Sequence, residues 1–396
     1  MAHICFYGPR CSGVIAGIQQ GGAERQVLLF ARYVAARGHR VTIVDPYADA
    51  SARDGSSGVE LVKPAQAASR IHGLPSITTR APALARSLAA LAPDACYMRG
   101  FWPDALAFAL WSRRTRRPFV LSAASELALD FGRGRRIETS GMPWRDRLLL
   151  GEAQAALSRV SLRLATMLLA QHQGQVAKLR RLNPHVAIVP NIFLPDRTLP
   201  GPPLRAEPAT CSWIGSVSPK KGVADLIALA RELPDMRFLV AGSVPHPAFE
   251  GLADELRALP NVTYLGPLPS AEIPGLLGRS SVLVNTSLAE GFPNTFLEAW
   301  WAGRPVASLR VDPGGVMGRH GSGFCADGSV GALAARLRAL RRDPVAAALA
   351  GERGRRYVRD HHLADVAGSR LLTALDDAAA LAVRRKSPAM PGGGRR

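Results

Sequence analysis

The sequence predicts an α/β protein of two doubly wound, Rossmann-like domains facing a cleft. Three observations carry this: a strand–glycine loop–helix–strand unit at the start, a proline-rich break after residue 190, and a second strand–helix alternation beyond it. The chain has 396 residues, and with about 100–200 residues per domain two separate cores are expected. In the first unit His3–Gly8 is a short apolar strand, and a loop then passes through Gly21 and Gly22. Apolar residues at Val27, Leu28, Phe30, Ala31 and Val34 recur at helical spacing before a stop at Gly38. Val41–Val44 supplies the next strand, and such a βαβ unit implies a parallel sheet covered on both faces. Further strands are expected over 95–98, 118–123, 166–170 and 186–190.

Residues 191–210 hold five prolines and no period, which is the composition of an interdomain linker. After it, strands near Cys211, Met236, Asn261 and Ser281 alternate with helical segments, and residues 333–383 read as two or three helices. The predicted division is an N-terminal domain over 1–195, a linker over 196–210, a second domain over 211–365, a C-terminal helix over 366–383 and a disordered tail over 384–396. In a pair of such domains, ligands meet the carboxyl ends of the strands.

Composition narrows the function classes. A hydrophobic content of 47% with 20% charged residues excludes a mainly disordered chain. Lys and Arg number 50 against 31 Asp and Glu, a net charge of +19, and residues 99–181 alone carry 15 cations and 6 anions. Such a field suits nucleic acid, an anionic bilayer surface or a phosphorylated substrate, or it is a solvated arginine-rich surface. A nucleic-acid reader would interleave aromatics with the basic clusters, yet aromatics are only 6% of the chain and no reading motif occurs. The five cysteines are scattered without a C-x-x-C pair, which argues against a disulfide framework or structural zinc and suits a reducing cytosol. The start lacks the order of a secretory signal, and no apolar run approaches the roughly 18–20 residues that span a bilayer. A soluble or peripheral cytoplasmic protein is expected.

Chemistry concentrates in three segments. Residues 284–308 place Glu290, Gly291, Phe292, Pro293 and Asn294 in a strand-to-helix loop, with a helix starting near Thr295. A glycine there admits a ligand to the backbone, and free N–H groups at the helix start attract an anion. Glu290 and Glu298 flank that position and suit hydroxyls on either side of a diphosphate. Glu298 has a second reading, because Thr295 and Glu298 fit the T-x-x-E capping box. In residues 211–227 a strand ends at Gly215, and Lys221-Gly222 stand at the mouth of a helix, where a lysine has the wrong sign for the dipole. Only five of the 50 cations are lysines, so its choice there points to contact with a phosphate, the alternative being a solvated turn residue. The third segment, Gly21–Val27, sets a paired glycine before a helix. Neither G-x-G-x-x-G nor a P-loop occurs, nor D-x-D, nor histidines at zincin spacing.

In this order the segments GGAERQVLLFARYVAARGHRVTIV, VPNIF, IGSVSPKKG, FLVAGS, NVTYLGPLP and AEGFPNTFLEAWWAGRPVAS resemble the family 4 glycosyltransferases of the GT-B fold. The E-x7-E element enclosing EGFPN is the specific part. The resemblance implies a retaining hexosyltransferase in polysaccharide or glycolipid assembly. Its donor would be a nucleoside diphosphate sugar and its acceptor a saccharide or lipid-linked saccharide, with no cofactor and no metal. It also implies C-terminal helices that cross back to the first domain. Position by position, Glu290 would contact donor-sugar hydroxyls, Glu298 the ribose, and Lys221 with the backbone of Gly291, Phe292, Asn294 and Thr295 the diphosphate. Gly242, Ser243 and Gly266 would border the base, and Gly22 would face the donor from the other domain. Two departures follow. Ser216 stands where the family often has arginine, leaving Lys220 as the substitute, and Glu126 stands near the place of a customary histidine. Glu126 and Arg99 are therefore assigned to the acceptor side, and the basic stretch to an anionic membrane surface. Rival readings are a sugar-phosphate synthase or phosphorylase on the same fold, and a non-enzymatic nucleic-acid binder.

Overall fold

The computed structural model describes residues 1–17, 21–64, 80–101, 103–126, 155–195, 207 and 209–384. The first domain contains β1 (His3–Tyr7), α1 (Cys11–Ile15), α2 (Gly22–Ala36), β2 (Arg40–Val44), β3 (Ala52–Arg53), β4 (Glu60–Val62) and α3 (Ala81–Leu91). It continues with β5 (Ala95–Arg99), α4 (Ala105–Thr115), β6 (Phe119–Ser122), α5 (described over 155–164), β7 (Met167–Ala170), α6 (Gln173–Arg180) and β8 (Val186–Ile188). These strands form one eight-stranded sheet in the order β3-β4-β2-β1-β5-β6-β7-β8, parallel except for the β3–β4 pair.

Both faces of that sheet are covered, which is why β1 reads as a continuous apolar run. Ile4 and Phe6 pack with Phe30 and Val34 of α2, while Cys5 and Tyr7 pack with Leu84 and Leu88 of α3 and Phe108 of α4. Tyr7 donates its hydroxyl proton to the buried Asp104 at 2.5 Å, and burial pushes both acids' pKa values up. Asp45, at the end of β2, accepts bonds from the Arg10 amide and from Ser12, and so holds the loop after β1 beside the cleft.

The second domain contains β9 (Thr210–Ile214), α7 (Val223–Glu232), β10 (Arg237–Ala241), α8 (Glu250–Ala258), β11 (Val262–Gly266), α9 (Ile273–Arg279) and β12 (Val282–Asn285). α10 (Asn294–Trp301), β13 (Val306–Ser308), α11 (Val316–His320), β14 (Gly323–Cys325), α12 (Val330–Arg342) and α13 (Pro344–His361) follow. Its six-stranded sheet is parallel, in the order β11-β10-β9-β12-β13-β14. The last helix, α14 (Ala364–Arg384), crosses back: Ala367, Leu371, Ala374, Leu375 and Ala378 join the core of the first domain. The crossing is close. A Cβ on Gly368 would lie 2.4 Å from the Tyr33 ring of α2, and the Tyr33 hydroxyl meets that of Ser369 at 3.2 Å.

Several boundaries differ from expectation. The second domain starts at Thr210, inside the predicted linker, because Thr210 pairs with Arg237 and its carbonyl accepts from the Ser281 amide. The final helix spans Ala364–Arg384 rather than 366–383, since Leu363 supplies the carbonyl that starts it and apolar spacing carries it past residue 383. Residues 196–206, 208 and 385–396, which hold most of the predicted linker and tail, lie outside the described residues. Sequence reading missed α1 and the β3–β4 pair, strands of two and three residues set among Ser, Gly and Asp, too short for any period to register.

Candidate active site

The second domain builds one wall from strand ends. Gly215, Gly242 and Gly266 follow β9 and β10 and end β11; the Gly215 amide donates to Ala241 O, and the Gly242 amide to Gly266 O at 2.8 Å. A Cβ on Gly242 would sit 1.7 Å from Gly215 O, so only glycine lets these two chains pass. Ser216 meets Ser218 hydroxyl to hydroxyl at 3.2 Å, and the Val217 amide donates to Ser243 O at 2.9 Å. Pro219–Lys221 then form a single 3-10 turn, closed by Gly222 at φ +65°. There a Cβ would lie 2.0 Å from Thr286 O, so the turn is pressed onto the end of β12. The Thr286 hydroxyl donates to Lys221 O and the Leu288 amide to Lys220 O, which fixes the turn against the loop carrying Glu290. Lys221 Nζ consequently stands 2.5 Å from Glu290 Oε1. The anion that its position demanded is, in this structure, that carboxylate.

The EGFPN loop crosses to the first domain. A Cβ on Gly291 would fall 1.9 Å from Gln171 Oε1 and 2.6 Å from Ala124 O, so the residue is glycine because another domain abuts it. The Phe292 ring is buried, 4.7 Å from the His362 ring and stacked over Tyr357. The Phe292 carbonyl accepts from Asn191 Nδ2 at 2.8 Å. α10 begins at Asn294, with Pro293 as the flanking residue and no side-chain cap. The capping box therefore does not form: Thr295 lies inside the first turn, where its hydroxyl cannot serve as cap. Glu298 turns instead to the first domain and ion-pairs with Arg25 of α2. Burial pushes the Glu298 carboxyl pKa up, and Arg25 opposes that shift.

The first domain closes the other side. Asn294 Nδ2 donates to Gly22 O at 3.0 Å, and Asn294 Oδ1 accepts from Gln26 at 3.2 Å and Asn191 at 2.8 Å. Asn191 is the hub. Its Oδ1 accepts from the buried Arg99 guanidinium at 2.6 Å and from Gln171 at 2.8 Å. Its carbonyl accepts from His362 Nδ1 at 2.8 Å; burial lowers the pKa of that ring to about 3, so it stays neutral. The Glu126 amide donates to Glu290 O at 3.2 Å, and its carboxylate meets Lys178 at 2.6 Å and His172 at 3.4 Å. The geometry thus gathers Glu290, Lys221, Glu298, Gly291, Asn294, Thr295, Gly22 and Glu126 about one cleft. Ser216, Gly242, Ser243 and Gly266 line its base, and Arg99 stands behind it, as support. Sequence reasoning missed Arg25, Gln26, Asn191 and His172. Arg25 and Gln26 lie three and four residues after Gly22, hence on its helix face, and that spacing is the signal that could have found them.

Comparison with known proteins bears on the fold. Residues 208–343 match the family model described as glycosyl transferases group 1, and residues 21–192 match that of the glycosyl transferase 4-like domain. Both halves of the chain thus match glycosyltransferase family models. Among curated relatives, the chain is 30% identical over 137 residues to one component of human phosphatidylinositol N-acetylglucosaminyltransferase, covering 33% of this chain and 28% of that protein. It is 29% identical over 205 residues to D-inositol 3-phosphate glycosyltransferase of Mycobacterium avium, covering 47% and 46% respectively. The matches thus take in less than half the length of these relatives. Among solved structures, sucrose-phosphate synthase from Thermosynechococcus elongatus superposes with a TM-score of 0.75 at 16% identity, over 96% of this chain and 100% of that one. The fold is GT-B.

Proposed function

We propose that the protein is a retaining glycosyltransferase that moves a hexosyl unit from a nucleoside diphosphate sugar to a hydroxyl of a saccharide or lipid-linked acceptor. One observation carries the reading: an uncapped helix start lies between two carboxylates, with a lysine beside it and the first domain of a GT-B pair closing over it. The unpaired amides of Asn294 and Thr295 and the Nζ of Lys221 would take the diphosphate, with no metal required for its charge. Glu290 would accept from sugar hydroxyls as Lys221 turns to the phosphates, and Glu298 from the ribose. As the bond from the anomeric carbon to phosphate breaks, that to the acceptor oxygen forms, the acceptor's proton passes to the departing diphosphate, and Lys221 stabilises the departing charge. Closure of the first domain would exclude the water that otherwise hydrolyses the donor. Glu126, joined to Glu290 through its backbone, lies on the acceptor side.

The acceptor is placed at an anionic membrane on its cytoplasmic face. Supporting this, Arg113, Arg114 and Arg116 are exposed at the end of α4. Beside them an apolar groove of about 920 Å³ between α3 and α4 is lined by Leu88, Leu106, Leu110 and Trp111. Arg133, Arg135 and Arg136 of the same stretch lie outside the described residues. Among the described residues no helix is long and apolar enough to cross a membrane. Vesicle flotation should show binding to anionic liposomes that fades with salt, and equal absence from anionic and neutral vesicles contradicts the placement.

The reaction itself is tested by incubating the enzyme with UDP-, GDP- and ADP-sugars and reading the product by proton NMR. One donor should be consumed, with release of nucleoside diphosphate and a product of the donor's anomeric configuration. An inverted product contradicts retention, and a requirement for a sugar phosphate in place of the nucleotide sugar favours the phosphorylase class.

A further inference from the structure

The contact between the domains is built from two helix faces. On α2, Gly22, Arg25 and Gln26 are spaced i, i+3, i+4 and look in one direction; on α10, Asn294 and Glu298 are spaced i, i+4. The two faces meet, with Gly22 and Gln26 gripping Asn294 and Arg25 reaching Glu298. Arg25 remains 36% exposed, whereas the Glu298 side chain is only 12% exposed. The ion pair uses Glu298 Oε1, which leaves Oε2 for a ligand.

We propose that Arg25 is a positioning residue for the donor: on domain closure it holds the Glu298 carboxylate charged and aimed, so that its second oxygen can accept the ribose hydroxyls. This rests on the assignment of the cleft to a nucleoside diphosphate sugar. A carboxyl group taken out of water favours its neutral form, and a neutral carboxyl is a poorer acceptor for a pair of hydroxyls. The charge that acts on Glu298 is Arg25. The other charged groups nearby are engaged elsewhere. Lys221 is held by Glu290, and Arg355 of α13, packed on α10, donates to Trp301 O and pairs with Glu352. Glu24 of α2 folds back over Gly21. Opening the domains removes Arg25, so the ribose grip weakens when the cleft opens and product can leave. Closure and donor affinity are thereby coupled through one guanidinium.

The test is calorimetric titration of the full chain with UDP, GDP and ADP between about pH 5 and pH 8, using whichever nucleotide the wild type binds. Arg25→Gln should weaken binding about ten- to a hundredfold at neutral pH, the worth of a charged hydrogen bond in a partly buried site. Its binding should also fail at a higher pH than the wild type's as the solution is acidified, because the unpaired Glu298 carboxyl takes up its proton sooner. Arg25→Lys should restore much of the affinity, and in a Glu298→Gln background Arg25→Gln should add little. Unchanged or tighter binding by Arg25→Gln, an unmoved acid limb, or an equal loss without the Glu298 carboxylate overturns the proposal. Wild-type protein that binds none of the three nucleotides overturns the donor-site reading, a distinguishable failure.

Discussion

Lys221→Ala is expected to cut turnover about 10²–10³-fold, the usual cost of deleting one preorganised charge at a developing anion, while barely changing thermal unfolding. The two halves of this expectation have separate causes. In the structure Lys221 pairs with Glu290 near the cleft surface, where an ion pair is worth only about 0–1 kcal/mol to the fold. Its turn is held by backbone and Thr286 contacts that alanine preserves. During transfer, however, the departing diphosphate would gather charge at the start of α10, and the Lys221 ammonium is the mobile cation placed to meet it. The loss should fall mainly on kcat, since the interaction strengthens as the bond to phosphate breaks. Near-wild-type turnover by a folded Lys221→Ala protein would contradict the assignment.

Asn191→Ala should have the largest effect on stability. One side chain takes four bonds in a buried place, from Arg99 and Gln171 on one side and to Phe292 O and Asn294 Oδ1 on the other. Alanine takes a partner from the Arg99 guanidinium, from Gln171 and from the Phe292 carbonyl at once. Buried groups that lose a partner cost about 1–3 kcal/mol each, more when charged. A net loss on the order of 3–5 kcal/mol is expected, with the unfolding midpoint lowered by roughly 10 °C. The same bonds tie the two domains together, so X-ray scattering should show a larger radius of gyration for the variant. A melt unchanged within about 2 °C and an unchanged scattering profile would mean that the hub is dispensable.

The parts of this protein that are local in sequence were legible. The βα alternation and the glycines at strand ends follow from period and spacing over a few tens of residues. Lys221 was legible because its charge is wrong for a helix start, and the structure supplies the anion that this position requires. The relations across the cleft were not legible. Arg25 and Glu298 stand 273 residues apart, and Asn191 and Phe292 stand 101 apart; neither segment alone shows a missing partner. Gly291 is instructive, because its sequence reads as access for a ligand, whereas the structure shows Gln171 and Ala124 occupying the side where a Cβ would project. The capping alternative for Glu298 failed in the opposite way. Local spacing offered a capping box, and tertiary contact with α2 won, because α10 starts two residues earlier than a Thr295 cap allows.

The central claim is that the start of α10, with Lys221 beside it, receives the diphosphate of a nucleotide sugar. Its most direct test is calorimetric comparison of a nucleoside diphosphate with the matching nucleoside, on wild-type protein and on Lys221→Ala. The wild type should prefer the diphosphate strongly. Lys221→Ala should bind the nucleoside as before and lose most of that preference. A Lys221→Ala protein that keeps the full preference for the diphosphate would contradict the account.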